Sequence, residues 1–197
     1  MSEKSVEFFF DFGSPTAYLA YTQLPDIAKN ADAQLVYRPM LLGGVFKATG
    51  NTSPAAVAAK GRWMNTDLPR WAKRYCVPFN FNPNFPINTL TLMRGAVGMQ
   101  MHQPQEFERY IKTVFKAMWV LPRNLGDVSE LEGVLSEAGF DTAAFTAMVG
   151  DSAVKAQLVA NTEEAVSRGV FGAPTCFVDG HIFFCQDRLD FVHEALA

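Results

Sequence analysis

Strand-like sequence occurs only at the two ends of this chain, and everything between them is written with helical spacing. Near the start, "VEFFFDF" (Val6 to Phe12) is a short aromatic-rich run bounded by Gly13, which reads as a buried strand. Ser14 then has the side chain of a helix N-cap, and Pro15 suits the first helical position, where no N–H is needed. A helix bearing Tyr18, Leu19, Leu24 and Ile27 leads within a few residues to a second strand, "AQLVYRPM" (Ala33 to Met40). Such a strand–helix–strand unit favours parallel strands. At the far end, "APTCFVDGHIFFC" sets Asp179-Gly180 between two apolar runs, a strong hairpin signal, and Asp187 is placed to cap a last helix, "RLDFVHEAL".

From Leu41 to about Arg168 the pattern is helical: "LTLMRGAVGMQM", "EFERYIKTVFKAMW", "SELEGVLSEAG" and "DTAAFTAMV", broken by Pro and Gly, with Asp127 and Asp141 as caps. The ends therefore read βαβ and ββα. The expected fold is α/β: a thioredoxin-like domain (1–43 and 166–197) interrupted by a large all-helical insertion (44–165).

Several function classes drop out on composition. A net charge of −3 with no Lys/Arg run gives no nucleic-acid footprint. No stretch of about 18 apolar residues predicts a membrane span, and the N-terminus is interrupted by Asp11 too early for a signal peptide. The cysteines (Cys76, Cys176, Cys185) and histidines (His102, His181, His193) fall in no metal-ligand or disulfide spacing, so no metal is expected. A reducing, cytoplasmic setting is the expectation.

Four stretches carry chemistry. At the first loop, a helix N-terminus presents unpaired N–H groups and a positive dipole end, which stabilise an anion or thiolate. Ser14 has no His/Asp relay near it in sequence, so it either caps the helix or donates its hydroxyl to an anion brought by a ligand. In "GVFGAPT" (Gly169 to Thr175), Ala173-Pro174 is a candidate cis bond, and the Ala173 backbone is placed to pair with an extended peptide. The stretch from Lys47 to Tyr75 is polar and basic, with Lys47, Asn51, Lys60, Arg62, Trp63 and Arg70. Those residues are either a solvated face or a carboxylate site. In "FFCQDRLDF", Gln186 and Asp187 either start a helix or meet a ligand ammonium. Together the four describe a site for a short zwitterionic peptide carrying a thiol, and glutathione has those groups.

The segments "FFFDFGSPTAYLA", "KGRWM", "GVFGAPT" and "CQDRLDF" resemble, in order and spacing over almost the whole chain, the kappa-class glutathione transferases and the 2-hydroxychromene-2-carboxylate isomerases. That family shares the fold of DsbA-type oxidoreductases, with serine in place of the active cysteine. The resemblance implies a glutathione-dependent enzyme and a homodimer. It places Ser14 beside the glutathione sulfur, and Asn51, Lys60 and Trp63 near the glycyl end. Ala173 pairs by backbone, Gln186 and Asp187 hold the γ-glutamyl end, and Lys47 matches a substrate-contacting lysine.

Two departures stand out. Cys185 occupies a position where the family has glycine, and Ala56-Val57 stand where an isomerase has an Asn-Arg pair that touches substrate. The leading expectation is an isomerase acting on small aromatic aryl-pyruvates by reversible thiolate addition, with Phe81, Phe85 and Trp119 as apolar walls. The rivals are a transferase that conjugates electrophiles and a non-catalytic peptide- or thiol-binding module. A dithiol oxidoreductase is disfavoured because no second cysteine follows Ser14.

Overall fold

The computed structural model of the protein describes residues 4–197. Residues 1–3, with which the first segment of the expected sheet-bearing domain begins, lie outside the described residues. Strand β1 (Ser5–Phe10) passes through the Ser14 turn into helix α1 (Pro15–Asn30), which returns the chain to β2 (Gln34–Pro39). β1 and β2 are parallel, with Phe8 opposite Tyr37. Strands β3 (Thr175–Val178) and β4 (His181–Phe184) form the expected hairpin, and β3 adds antiparallel to β1, giving the order β2-β1-β3-β4. Asp179 and Gly180 turn the hairpin with φ of 48° and 80°. A type I′ two-residue turn requires positive φ at both central positions, and Asp-Gly supplies it at little cost.

The aromatic run in β1 is buried on both faces. Phe8 and Phe10, with Phe12 beyond the strand end, join a core shared with α1 and with helices α4 (Leu90–His102), α5 (Phe107–Trp119) and α9 (Leu189–Leu196). Phe9 faces the other way, into a second core with Met40, Val45, Ala165 and Phe177, under α2 (Leu42–Thr49) and α8 (Ser152–Ser167). A strand covered on both faces has no solvent side, so its residues do not alternate.

The helices between β2 and β3 are α2, α3 (Ala58–Arg74), α4, α5, α6 (Val128–Glu137), α7 (Thr142–Gly150) and α8. Asp127 and Asp141 accept hydrogen bonds from first-turn N–H groups of α6 and α7, as expected, and Asp151 does the same for α8. The described architecture is a thioredoxin-like sheet domain carrying a large helical insertion.

One expected cap is corrected. Asp187 does not cap α9: its carboxylate accepts from Arg188 Nη1 at 2.9 Å, and α9 begins at Leu189 with no side-chain cap bond. A 3-10 turn, Gln186–Arg188, intervenes and moves Asp187 away from the helix start. Among the described residues, no helix is long and apolar enough to cross a membrane.

Candidate active site

The site grows from the end of β1. Asp11 is fully buried; one carboxylate oxygen accepts from the Gly13 N–H and the other from the Leu42 N–H, both at 2.8 Å. These bonds tie the β1–α1 turn to the start of α2. Burial pushes the Asp11 carboxyl upward against the donors that favour its charged form. From α5, Trp119 donates its indole N–H to the Phe12 carbonyl at 2.9 Å. The turn is thus held from two sides before it reaches Ser14.

Ser14 is the N-cap of α1: its hydroxyl oxygen accepts from the Ala17 N–H at 3.1 Å. The same hydroxyl donates to the carbonyl of Ala173 at 2.9 Å, across the fold. Thr16, the second residue of the helix, has its hydroxyl 2.9 Å from Ser14 Oγ and 3.2 Å from that carbonyl. The Ala173-Pro174 bond is cis, as is Phe85-Pro86. Among the described residues the Ala173 N–H has no acceptor. An unpaired backbone donor beside a helix N-terminus is what a docking peptide strand would use.

These groups line a cavity of about 780 Å³. Ser14, Asn51, Lys60, Trp63, Phe85, Ala173, Gln186 and Asp187, all anticipated from sequence, contribute to its wall, as does Phe81. Lys47 does not: it sits exposed on α2, while its neighbour Phe46 faces the cavity. Trp119 also falls outside the lining. It is completely buried, and its ring backs Phe85 at 5.9 Å between centroids and Phe81 at 6.3 Å.

Two anticipated residues are partly committed within the chain. Asn51 donates its amide to the Phe171 carbonyl at 2.8 Å, strapping the loop before α3 to the loop before β3. Gln186, almost completely buried, accepts the Cys185 thiol on its amide oxygen at 2.8 Å, and the end of α3 reaches its backbone through the Tyr75 hydroxyl at 2.6 Å. Burial pushes the Tyr75 hydroxyl up to about 12. Burial also pushes the Cys185 thiol up, and the neighbouring Asp187 charge adds to the effect. Cys185 adopts φ 77° and ψ 160°, a backbone region that only glycine enters freely.

Sequence reasoning missed Thr16, Met64, Asp67, Trp71, Phe171 and Phe184 as wall residues. The signal for α3 was present: Lys60, Met64, Asp67, Leu68 and Trp71 recur at intervals of three and four, which marks one face of a helix. Among the described residues lining the cavity, Lys60 is the one cation, against Asp67 and Asp187. The arrangement offers a hydroxyl donor at a helix N-terminus, a free backbone N–H, and one cation and two carboxylates set among aromatic walls.

The family model for the DSBA-like thioredoxin domain matches residues 5–197. A 2-hydroxychromene-2-carboxylate isomerase from Sphingobium xenophagum is 33% identical over 195 residues, covering 98% of each chain. A glutathione S-transferase kappa 1 from Rattus norvegicus is 27% identical, covering 94% of this chain and 87% of its own. A solved structure of a 2-hydroxychromene-2-carboxylate isomerase superposes with a TM-score of 0.85 at 28% identity, covering 98% of this chain and 94% of the other. The fold thus agrees with that of the solved isomerase over 98% of this chain, and the chain belongs to the DSBA-like thioredoxin-domain family, in the group of the 2-hydroxychromene-2-carboxylate isomerases and kappa-class glutathione transferases.

Proposed function

We propose that the protein is a glutathione-dependent isomerase of the 2-hydroxychromene-2-carboxylate type, acting on aryl-pyruvate intermediates of aromatic degradation. The observation that carries this reading is the meeting of Ser14, the unpaired Ala173 N–H, Lys60 and Asp187 in one cavity. Those groups fit the peptide: the Ala173 backbone pairs with its central residue, Lys60 faces the glycyl carboxylate, and Gln186 and Asp187 face the γ-glutamyl end. Asn51 and Trp63 flank the glycyl side. When bound, glutathione supplies a thiolate that adds to a conjugated double bond and leaves once the resulting single bond has turned.

The chain's own contribution is threefold. Ser14 and the α1 N-terminus favour the charged sulfur. Polar groups at both ends of the peptide fix its position, which lowers the entropic part of the barrier. Phe81 and Phe85 offer flat apolar surface for an aromatic co-substrate. By family resemblance the working form is a homodimer, which sedimentation of the purified protein checks, and the cysteine usage points to a reducing, cytoplasmic setting.

One observation favours a second reading, a kappa-like transferase for uncharged electrophiles. Once Lys60 is engaged by glutathione, the described cavity wall has no other cation for a substrate carboxylate, and Lys47 lies outside it. The test is titration calorimetry with glutathione, followed by turnover of a hydroxybenzylidenepyruvate and of a chlorodinitrobenzene-type electrophile. Isomerisation without consumption of glutathione supports the isomerase. Consumption in step with product supports the transferase, and no binding of glutathione overturns both.

A further inference from the structure

The pair of hydroxyls at the start of α1 has a feature that Ser14 alone does not explain. The Ala173 carbonyl, itself buried, receives the Ser14 hydroxyl at 2.9 Å and lies 3.2 Å from Thr16 Oγ1. Ser14 Oγ is already an acceptor for the Ala17 N–H at 3.1 Å. In this arrangement the Ser14 proton is held by the carbonyl and is not available to a sulfur anion. Turning it outward removes the nearer donor from a buried carbonyl, and a buried acceptor left without a donor is costly. The Thr16 hydroxyl can prevent that. It lies 2.9 Å from Ser14 Oγ, so a rotation about its own C–O bond carries its proton from Ser14 to the Ala173 carbonyl.

We propose that Thr16 is a positioning residue that takes over the Ala173 carbonyl and so frees the Ser14 hydroxyl to turn toward a ligand thiolate. This rests on the reading of the cavity as a glutathione site. Two hydroxyl protons serve two acceptors in each state. In the free protein Ser14 donates to the carbonyl and Thr16 to Ser14. With a thiolate present, Ser14 donates to sulfur and Thr16 to the carbonyl. No proton is lost or gained by the pair. Thr16 itself need not touch the ligand.

Thr16→Val keeps the branched shape and removes the hydroxyl, while Thr16→Ser keeps the hydroxyl. The bound thiol is titrated by the ultraviolet absorbance of its thiolate, and binding is followed separately with S-methylglutathione, which has no thiol to ionise. Thr16→Val is expected to raise the pKa of bound glutathione by about one unit, a tenfold loss of thiolate at neutral pH. Its affinity for S-methylglutathione stays within about twofold of wild type, because a neutral thioether does not draw the Ser14 proton away from the Ala173 carbonyl and so leaves no acceptor for Thr16 to serve. Thr16→Ser restores the wild-type pKa. An unchanged pKa in Thr16→Val overturns the proposal. So does a Thr16→Ser variant that folds but behaves like the valine, or a valine variant whose loss appears equally with S-methylglutathione. Failure of the wild-type protein to bind glutathione at all overturns the functional reading itself.

Discussion

Ser14 and Ala173, 159 positions apart in the chain, are joined by a hydrogen bond of 2.9 Å between the serine hydroxyl and the alanine carbonyl. The contact joins the βαβ end of the sequence to the ββα end at the point where both open into the cavity. On the proposed glutathione reading it is also the contact that a ligand thiolate must compete with. That reading makes the site poised rather than free: the serine proton is held by the carbonyl until a better acceptor arrives.

Ser14→Ala keeps the helix end and removes the donor. The bound thiol should then have a higher pKa, with turnover reduced at neutral pH and partly recovered at alkaline pH, where free thiol ionises without help (ordinary value about 8.5). Loss of the N-cap costs about 1 kcal/mol of stability, so denaturant unfolding is measured alongside. Equal thiol pKa and equal rate in a folded variant would reduce Ser14 to a cap.

Lys60 is exposed at the cavity wall, which sets the scale of its contribution. An exposed ion pair is worth up to about 1 kcal/mol, so Lys60→Ala should weaken glutathione binding about fivefold at low salt. The difference between wild type and variant should shrink as salt rises, because screening acts on exposed charges. Calorimetry at two ionic strengths checks both statements, and a salt-independent effect would point to packing instead.

Elements whose cause is local were legible in the sequence. The Ser14-Pro15 helix start, the Asp179-Gly180 turn and the Asp127 and Asp141 caps each depend on a few neighbouring atoms, and each stands where expected. What depends on how a whole helix is rotated was harder. The face of α3 bearing Met64, Leu68 and Trp71 lines the cavity, yet its polar composition reads equally well as a solvated surface. Lys47 and Phe46 are adjacent, and only the packing of α2 decides which of them faces in. Trp119 and Asp187 failed for a related reason. The indole is spent on the Phe12 carbonyl, and a 3-10 turn separates the aspartate from the helix it was expected to cap.

Glu7 on β1 and Arg168 after α8 form a two-pronged ion pair, and the guanidinium lies over the Phe177 ring at 4.1 Å. The hydrogen bond from Arg168 holds the Glu7 carboxyl below its ordinary value of about 4.3. A carboxyl depressed in the folded state contributes stability that is present above its unfolded value and is lost as pH falls through the folded one. Glu7→Gln should cost about 1–2 kcal/mol at neutral pH, between the values for exposed and buried pairs. The wild-type and variant stabilities should converge at acid pH, where Glu7 is neutral in both states. Parallel curves across the whole acid limb would show that the pair is not what the carboxylate contributes.

Cys185 gives the last and most local prediction. Its φ of 77° with ψ of 160° lies where a side chain is strained by about 1–3 kcal/mol, and its thiol sits against the Thr16 hydroxyl and the Gln186 amide. Cys185→Gly removes the strain. It gives up the thiol's hydrogen bond and adds the chain entropy of glycine, about 0.5–1 kcal/mol. The net expectation is a gain of about 1 kcal/mol, or roughly 2–4 °C in melting temperature for a chain of this size. Cys185→Ala separates the contributions, since alanine keeps the strain and loses the thiol; it should melt below wild type. The glycine variant also frees the Gln186 amide oxygen to accept from a ligand ammonium, so its affinity for S-methylglutathione should rise rather than fall. A glycine variant less stable than the alanine one would show that the backbone at 185 is not strained, and that the thiol is held there for its contacts alone.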